Sequence, residues 1–157
     1  MVIENHQFKK SIKLSLEYRF KHNWHKNITE SNCYINYRIF KEDLNLEAYL
    51  SKLDLHERIN LCKFRCSNSN IPIVAGRYNN IDFDNWLCNL CNREEIGDEF
   101  HYIMICPFFN EERKKHLNSS YWRIPNRSKF GYLFTSIDIK VLQNLAKFVK
   151  VIIDKFR

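Results

Sequence analysis

The sequence has little punctuation: only three glycines and three prolines interrupt 157 residues. Sheet proteins need frequent turns, and turns draw on these two residues, so a mainly helical fold is expected. Long apolar runs are missing as well. None reaches the ~18 residues of a membrane-spanning helix, and the polar, basic start MVIENHQFKK lacks the apolar stretch of a secretory signal. These absences imply a soluble intracellular protein, nuclear or cytoplasmic, with no membrane partner. Internal repeats and low-complexity segments do not stand out. The chain does hold enough apolar material for a core, with 45% hydrophobic and 15% aromatic residues.

Six cysteines in a secreted chain would suggest disulfides, but here the spacing is that of a metal site and the thiols are expected to be reduced. Cys88 and Cys91 form a C-x2-C pair, and His101 and Cys106 an H-x4-C pair nine residues on. Three thiolates and one imidazole fill a tetrahedral ion, leaving no open position for water or substrate. The implied cofactor is a structural Zn2+. His101 and Cys106 are five residues apart, about 500° of α-helical rotation, so an unbroken helix would point them apart. Pro107 disfavours helical geometry at Cys106, so the helix should end there and let Cys106 return to the ion. Cys33, Cys62 and Cys66 are expected to be small buried apolar residues. Cys62 and Cys66, one turn apart with His56 upstream, lack a clean fourth ligand for a second site.

The expected organisation is a small helical domain with an embedded CCHC zinc knuckle and short extended segments. Residues 1–80 form its helical N-terminal part, 81–118 the metal module and 119–157 a basic helical part, all in one compact unit. Residues 8–25 fit both a four-residue stripe (Phe8, Ile12, Leu16, Phe20) and a strand-like alternation, and helix is the expectation. Residues 26–41 look irregular or extended. Leu46, Tyr49, Leu50 and Leu53 mark a helix over 44–53, and Asp54 with Glu57 matches a capping box for the next. SNSN at 67–70 ends it. Residues 71–74 are expected to be extended around Pro72, and GRYNN at 76–80 to be a turn.

A second short helix should follow Pro107, with Phe108, Phe109 and Leu117 packing inward while Arg113, Lys114 and Lys115 face solvent. Residues 118–128 are expected to be a loop, and Phe130, Leu133 and Phe134 to lie on a short helix. The last helix has the cleanest pattern, with Ile139, Leu142, Ala146, Val149, Ile153 and Phe156 along one face and Asp138 or Ser136 as its cap.

Charge is unevenly placed. Residues 1–106 hold 14 basic and 14 acidic residues, whereas 107–157 hold 11 basic and four acidic, so the whole net charge of +7 follows the last metal ligand. That is the electrostatic footprint of a nucleic-acid surface, although basic helices are often simply solvated. Arg113, Lys114, Lys115, Arg123, Arg127 and Lys129 are the candidates for phosphate contacts, Tyr121 and Trp122 for stacking on bases, and Arg77, beside Tyr78, for a further contact.

Cys88, Cys91, Asp98-Glu99, His101 and Cys106-Pro107, followed by an aromatic-basic helix with Arg113, resemble the zinc-binding module that follows the polymerase domain in reverse transcriptases of non-LTR retrotransposons. The likeness runs upstream through Lys63-Phe64-Arg65 and Gly76-Arg77-Tyr78, covering roughly residues 55–118. It implies a role in holding template RNA or target DNA. No Y-x-D-D motif is present, so the polymerase's metal-binding carboxylates are absent and no polymerase activity is expected. Asp138-Ile139-Lys140 has a nuclease-like D-x-K spacing, but its place at a helix start fits a cap. The chain is therefore expected to be a non-enzymatic binder of RNA or DNA. The alternative is a zinc-scaffolded protein-interaction domain whose partner could be the polymerase portion missing here.

Overall fold

The computed structural model describes residues 2–157, and the fold is mainly α. In chain order the helices are α1 (Val2–Glu30), α2 (Tyr37–Phe40), α3 (Ala48–Lys52), α4 (Leu55–Arg65), α5 (Pro72–Tyr78), α6 (Asn110–His116), α7 (Ser119–Trp122), α8 (Arg127–Phe134) and α9 (Ile139–Lys155). A π turn at His101–Ile105 precedes a short 3-10 turn, Pro107–Phe109. Among the described residues there is no strand, only an isolated antiparallel bridge between Leu87 and Ile96.

The expected final helix is the spine of the core. Asp138 caps it by accepting from the Lys140 amide at 2.8 Å, so the D-x-K aspartate is spent on the helix start. Its apolar positions recur at three and four, and Leu142, Leu145, Phe148, Val149 and Ile152 are fully buried. Burying each such side chain contributes roughly 1.5–3 kcal/mol. Helix α4 lies along one side of α9, started as expected by the Asp54 carboxylate on the Glu57 amide and burying Leu61 and Phe64. Helix α6 covers another side. Phe40, Phe64, Phe130 and Phe134 stack where α2, α4 and α8 meet, with Phe40 and Phe134 4.9 Å apart and nearly parallel.

Several local expectations change. The helix expected over 8–25 runs from Val2 to Glu30, but its apolar stripe faces solvent: Phe8, Ile12, Leu14, Leu16, Tyr18 and Phe20 are 43% to 72% exposed. The end of α1 is held through half-buried Trp24 and buried Ile28. The helix expected over 44–53 shrinks to α3, because Glu47 is extended and turned onto Arg65 at 2.7 Å. Of residues 71–74 only Ile71 is extended. Pro72 instead opens α5 at a first-turn position, where its missing N–H costs nothing, and Gly76 and Arg77 continue the helix rather than turning. Cys33 is exposed, against its expected burial, and Cys62 and Cys66 are half-buried.

Candidate metal centre

The metal module is built from two short pieces of backbone. In the first, the chain enters beside Trp86 and forms a small hairpin: Cys88 N–H donates to Glu95 O and Gly97 N–H to Trp86 O, both at 2.8 Å. Cys88 leaves this hairpin inward and Cys91 sits in its tip, where the Leu90 amide points at Cys88 Sγ from 3.4 Å. This is the expected knuckle; Trp86 packs against the core beside it, while Leu87 is exposed and makes only the isolated bridge to Ile96.

The second piece is the π turn. The Asp98 carboxylate caps it by accepting from the His101 amide at 2.7 Å. The turn closes with Cys106 N–H donating to His101 O, also at 2.7 Å. This bond joins the two ligands of the H-x4-C pair. A residue five positions on is out of phase in an α-helix, but the wider i→i+5 turn brings it back over the first. At Cys106 the backbone leaves helical geometry, φ −51° and ψ 118°, just before Pro107 as expected.

All four donor atoms, from Cys88, Cys91, His101 and Cys106, lie within 4.8 Å of one another and could hold one metal ion. Cys88 Sγ and Cys106 Sγ are 3.8 Å apart, and Cys91 Sγ lies 3.4 Å from His101 Nε2. His101, Cys88 and Cys106 are buried while Cys91 is partly exposed. Burial pushes the Cys106 thiol up to about 12. Burial raises Cys91 as well. A bound cation would favour the thiolates.

The surrounding side chains orient the set. The Glu95 carboxylate lies 2.8 Å from His101 Nδ1, which leaves Nε2 to face the sulfurs. The Tyr102 hydroxyl lies beside Cys88 but makes no well-directed hydrogen bond, an orphaned buried donor that a Cys88 thiolate could satisfy. Its ring packs edge-on against Phe109 and meets Phe156 at 5.0 Å, which ties the ligand turn to α9.

Arg113 is the main correction. It was expected to face solvent and contact phosphate, but it is 2% exposed. Its Nε donates to Ile103 O at 2.7 Å, and its Nη2 donates to Tyr102 O and Cys106 O at 3.1 and 2.9 Å. These are carbonyls freed where the π turn ends, so the guanidinium is a clamp on the ligand loop. Burial lowers its pKa to about 10.

The other proposed nucleic-acid residues are spread over several elements, from α5 to α8. Lys114 and Lys115 are exposed on α6 beside Glu111 and Glu112. Tyr121 and Trp122 pack against the core edge, and the Trp122 indole N–H donates to Leu117 O. Both are therefore poorer stacking platforms than expected. Arg123 is exposed and Lys129 half-exposed on the α7–α8 segment. Arg127 lies 4.3 Å over the Phe100 ring and 3.5 Å from Asp98. Arg77 donates to Cys33 O. Asn36, which sequence reasoning missed, donates to Asp98 and Glu99 at 3.2 and 2.6 Å and accepts from Arg127. This ties the N-terminal half to the module from more than 60 residues away. Compared with known proteins, the chain matches no family model, no curated protein and no solved structure.

Proposed function

We propose that this chain is a nucleic-acid-binding module folded around a structural zinc ion, similar to the C-terminal zinc module of non-LTR retroelement reverse transcriptases and without catalytic activity. Zinc is favoured by the donor set and its spacing. Tetrahedral Zn2+ with bonds of about 2.3 Å to sulfur and about 2.0–2.1 Å to nitrogen needs S···S near ~3.8 Å and S···N near ~3.5 Å. The two pairs lie at 3.8 and 3.4 Å. Four protein donors leave no vacancy, so the ion's work is to hold the hairpin, the π turn and α6 together.

The observation that carries the nucleic-acid part is the charge distribution, with all of the net +7 following Cys106 on the helices around the site. The test is binding of zinc-loaded protein to labelled single-stranded RNA and duplex DNA across a salt series, with a Cys88→Ser, Cys91→Ser variant as control. A log-log slope of several units, lost in the control, is the expected result. Absence of binding at ~50 mM salt by folded, zinc-loaded protein would sink the proposal.

One observation favours a second reading, in which the zinc unit is a scaffold for a protein partner. The six large apolar side chains exposed along α1 are the kind of surface that marks association. Salt-insensitive binding to a polymerase portion, abolished by Phe8→Ser, Leu16→Ser and Phe20→Ser and unaccompanied by RNA or DNA binding, would favour it.

A further inference from the structure

Helices α4 and α9 pack against each other along much of their length, and a groove of about 280 Å³ stays open between their outer faces. One wall is α4, with His56, Asn60 and Lys63; the other is α9, with Lys147 and Lys150, and Arg157 lies just beyond. Ala146, the smallest residue on the buried stripe of α9, leaves room at its floor. Asp154 pairs with Lys150 and, at 3.0 Å, with Arg157. Lys63 and Lys147 are exposed on opposite walls and, among the described residues, neither has an ion pair; Glu57 is the acidic residue that lines the groove.

The cations do not stop at the groove. Lys140, Lys147 and Lys150 fall within about 80° of arc on α9 and span roughly 15 Å of its axis, with Arg157 just past its end. Lys115, on α6, lies close enough to act with Lys147 on the same His116 ring. A single phosphate would need one point of charge, whereas a row of this length matches a repeating polyanion. Among the described residues no Phe, Tyr or Trp lines the groove and its one ring is the His56 imidazole, unlike sequence-tolerant single-strand binders that use broad aromatic platforms.

We propose that the α4–α9 groove, centred on Lys63 and Lys147, is the surface that takes the sugar–phosphate backbone of a nucleic acid, without reading its bases. This inference rests on the nucleic-acid reading above, and it moves the contact away from Arg123 and Lys129 on the α7–α8 segment. Backbone phosphates lie between the two lysines and run on along α9 toward Lys140.

Fluorescence anisotropy tests this with the full metal-loaded chain, a labelled 20-nucleotide oligo-uridine and a 20-base-pair DNA duplex, from about 25 to 300 mM salt. In a Lys63→Gln, Lys147→Gln variant, affinity at ~50 mM salt should fall at least about tenfold, and the log-log salt slope should drop by about 1.4–1.8, one increment per lost phosphate contact. A Lys63→Arg, Lys147→Arg variant should keep the slope, which separates charge loss from misfolding. An Arg123→Gln, Lys129→Gln variant should bind nearly as the wild type does. Unchanged binding in the groove variant, with loss in the Arg123, Lys129 variant, overturns this inference and leaves the nucleic-acid reading standing. No binding by the wild type overturns both. Equal binding of poly-glutamate of the same length would assign the groove to acidic polypeptides and also overturn it.

Discussion

At the scale of single residues, the metal cluster is held by neighbours whose spacing gives no sign of their role. Glu95 orients His101 from 2.8 Å although its own side chain is 42% exposed. Partners of this kind typically contribute 10–100-fold to metal affinity, so Glu95→Ala should weaken binding by that factor in a chelator competition while leaving the four-donor stoichiometry unchanged. Arg113 is a stronger case, because its buried guanidinium satisfies three carbonyls at once. Arg113→Ala should cost on the order of 3 kcal/mol or more, and Arg113→Lys should rescue little, since an ammonium cannot reproduce the planar fork. Chemical denaturation of the metal-loaded protein measures both. The two residues show where sequence reading stopped. Arg113 stands in a run of basic residues and looked like its neighbours, because the carbonyls it serves are exposed only once the chain has turned at Cys106. Glu95 belongs to no periodic pattern.

At the scale of elements, local signals were legible where the cause was local. Asp54 and Asp138 cap the helices they were expected to cap, and Pro107 ends the ligand turn where its steric effect requires. Signals that depended on partners were not legible. The four-residue stripe of α1 looks like a buried face, yet none of the described residues covers it. Pro72, around which an extended segment is expected, instead begins a helix. Gly76 depends on the Trp86 indole, which lies where a Cβ would go and whose N–H donates to Ile81 O. Gly76→Ala should therefore displace that ring and cost about 1–3 kcal/mol, visible as a change in tryptophan fluorescence together with a lower melting temperature. At the α6–α9 contact, burial lowers the His116 pKa and Lys115 and Lys147 lower it further, while Glu112 opposes them. The unfolded chain then takes up the His116 proton before the folded one does. This contribution to stability is complete above the ordinary histidine value and should decline as pH falls below about 6.5. Denaturation midpoints compared at pH 7.5 and 5.5, with His116→Gln as the variant that removes this part of the slope, check the sign.

At the scale of the whole molecule, one core joins the pieces, running from Phe40 through the ligand turn to Ile153. Chelation should accordingly do more than loosen a knuckle. Structural zinc sites are worth roughly 10 kcal/mol or more of folding free energy, so metal removal should melt residues 86–109 and lower the helical signal of α6 and α9 with them. Amide exchange that speeds up only at the knuckle, with α9 still protected, would contradict this. The buried clamp has a further consequence, one of charge neutrality. A divalent ion held by three thiolates and a neutral imidazole is a complex with one net negative charge. Arg113 places one buried positive charge against its last ligand, so such an ion and the arginine would together be neutral inside the core. If such an ion left and the sulfurs took up protons, that balance would be lost, and the arginine would be a buried cation without that counter-charge.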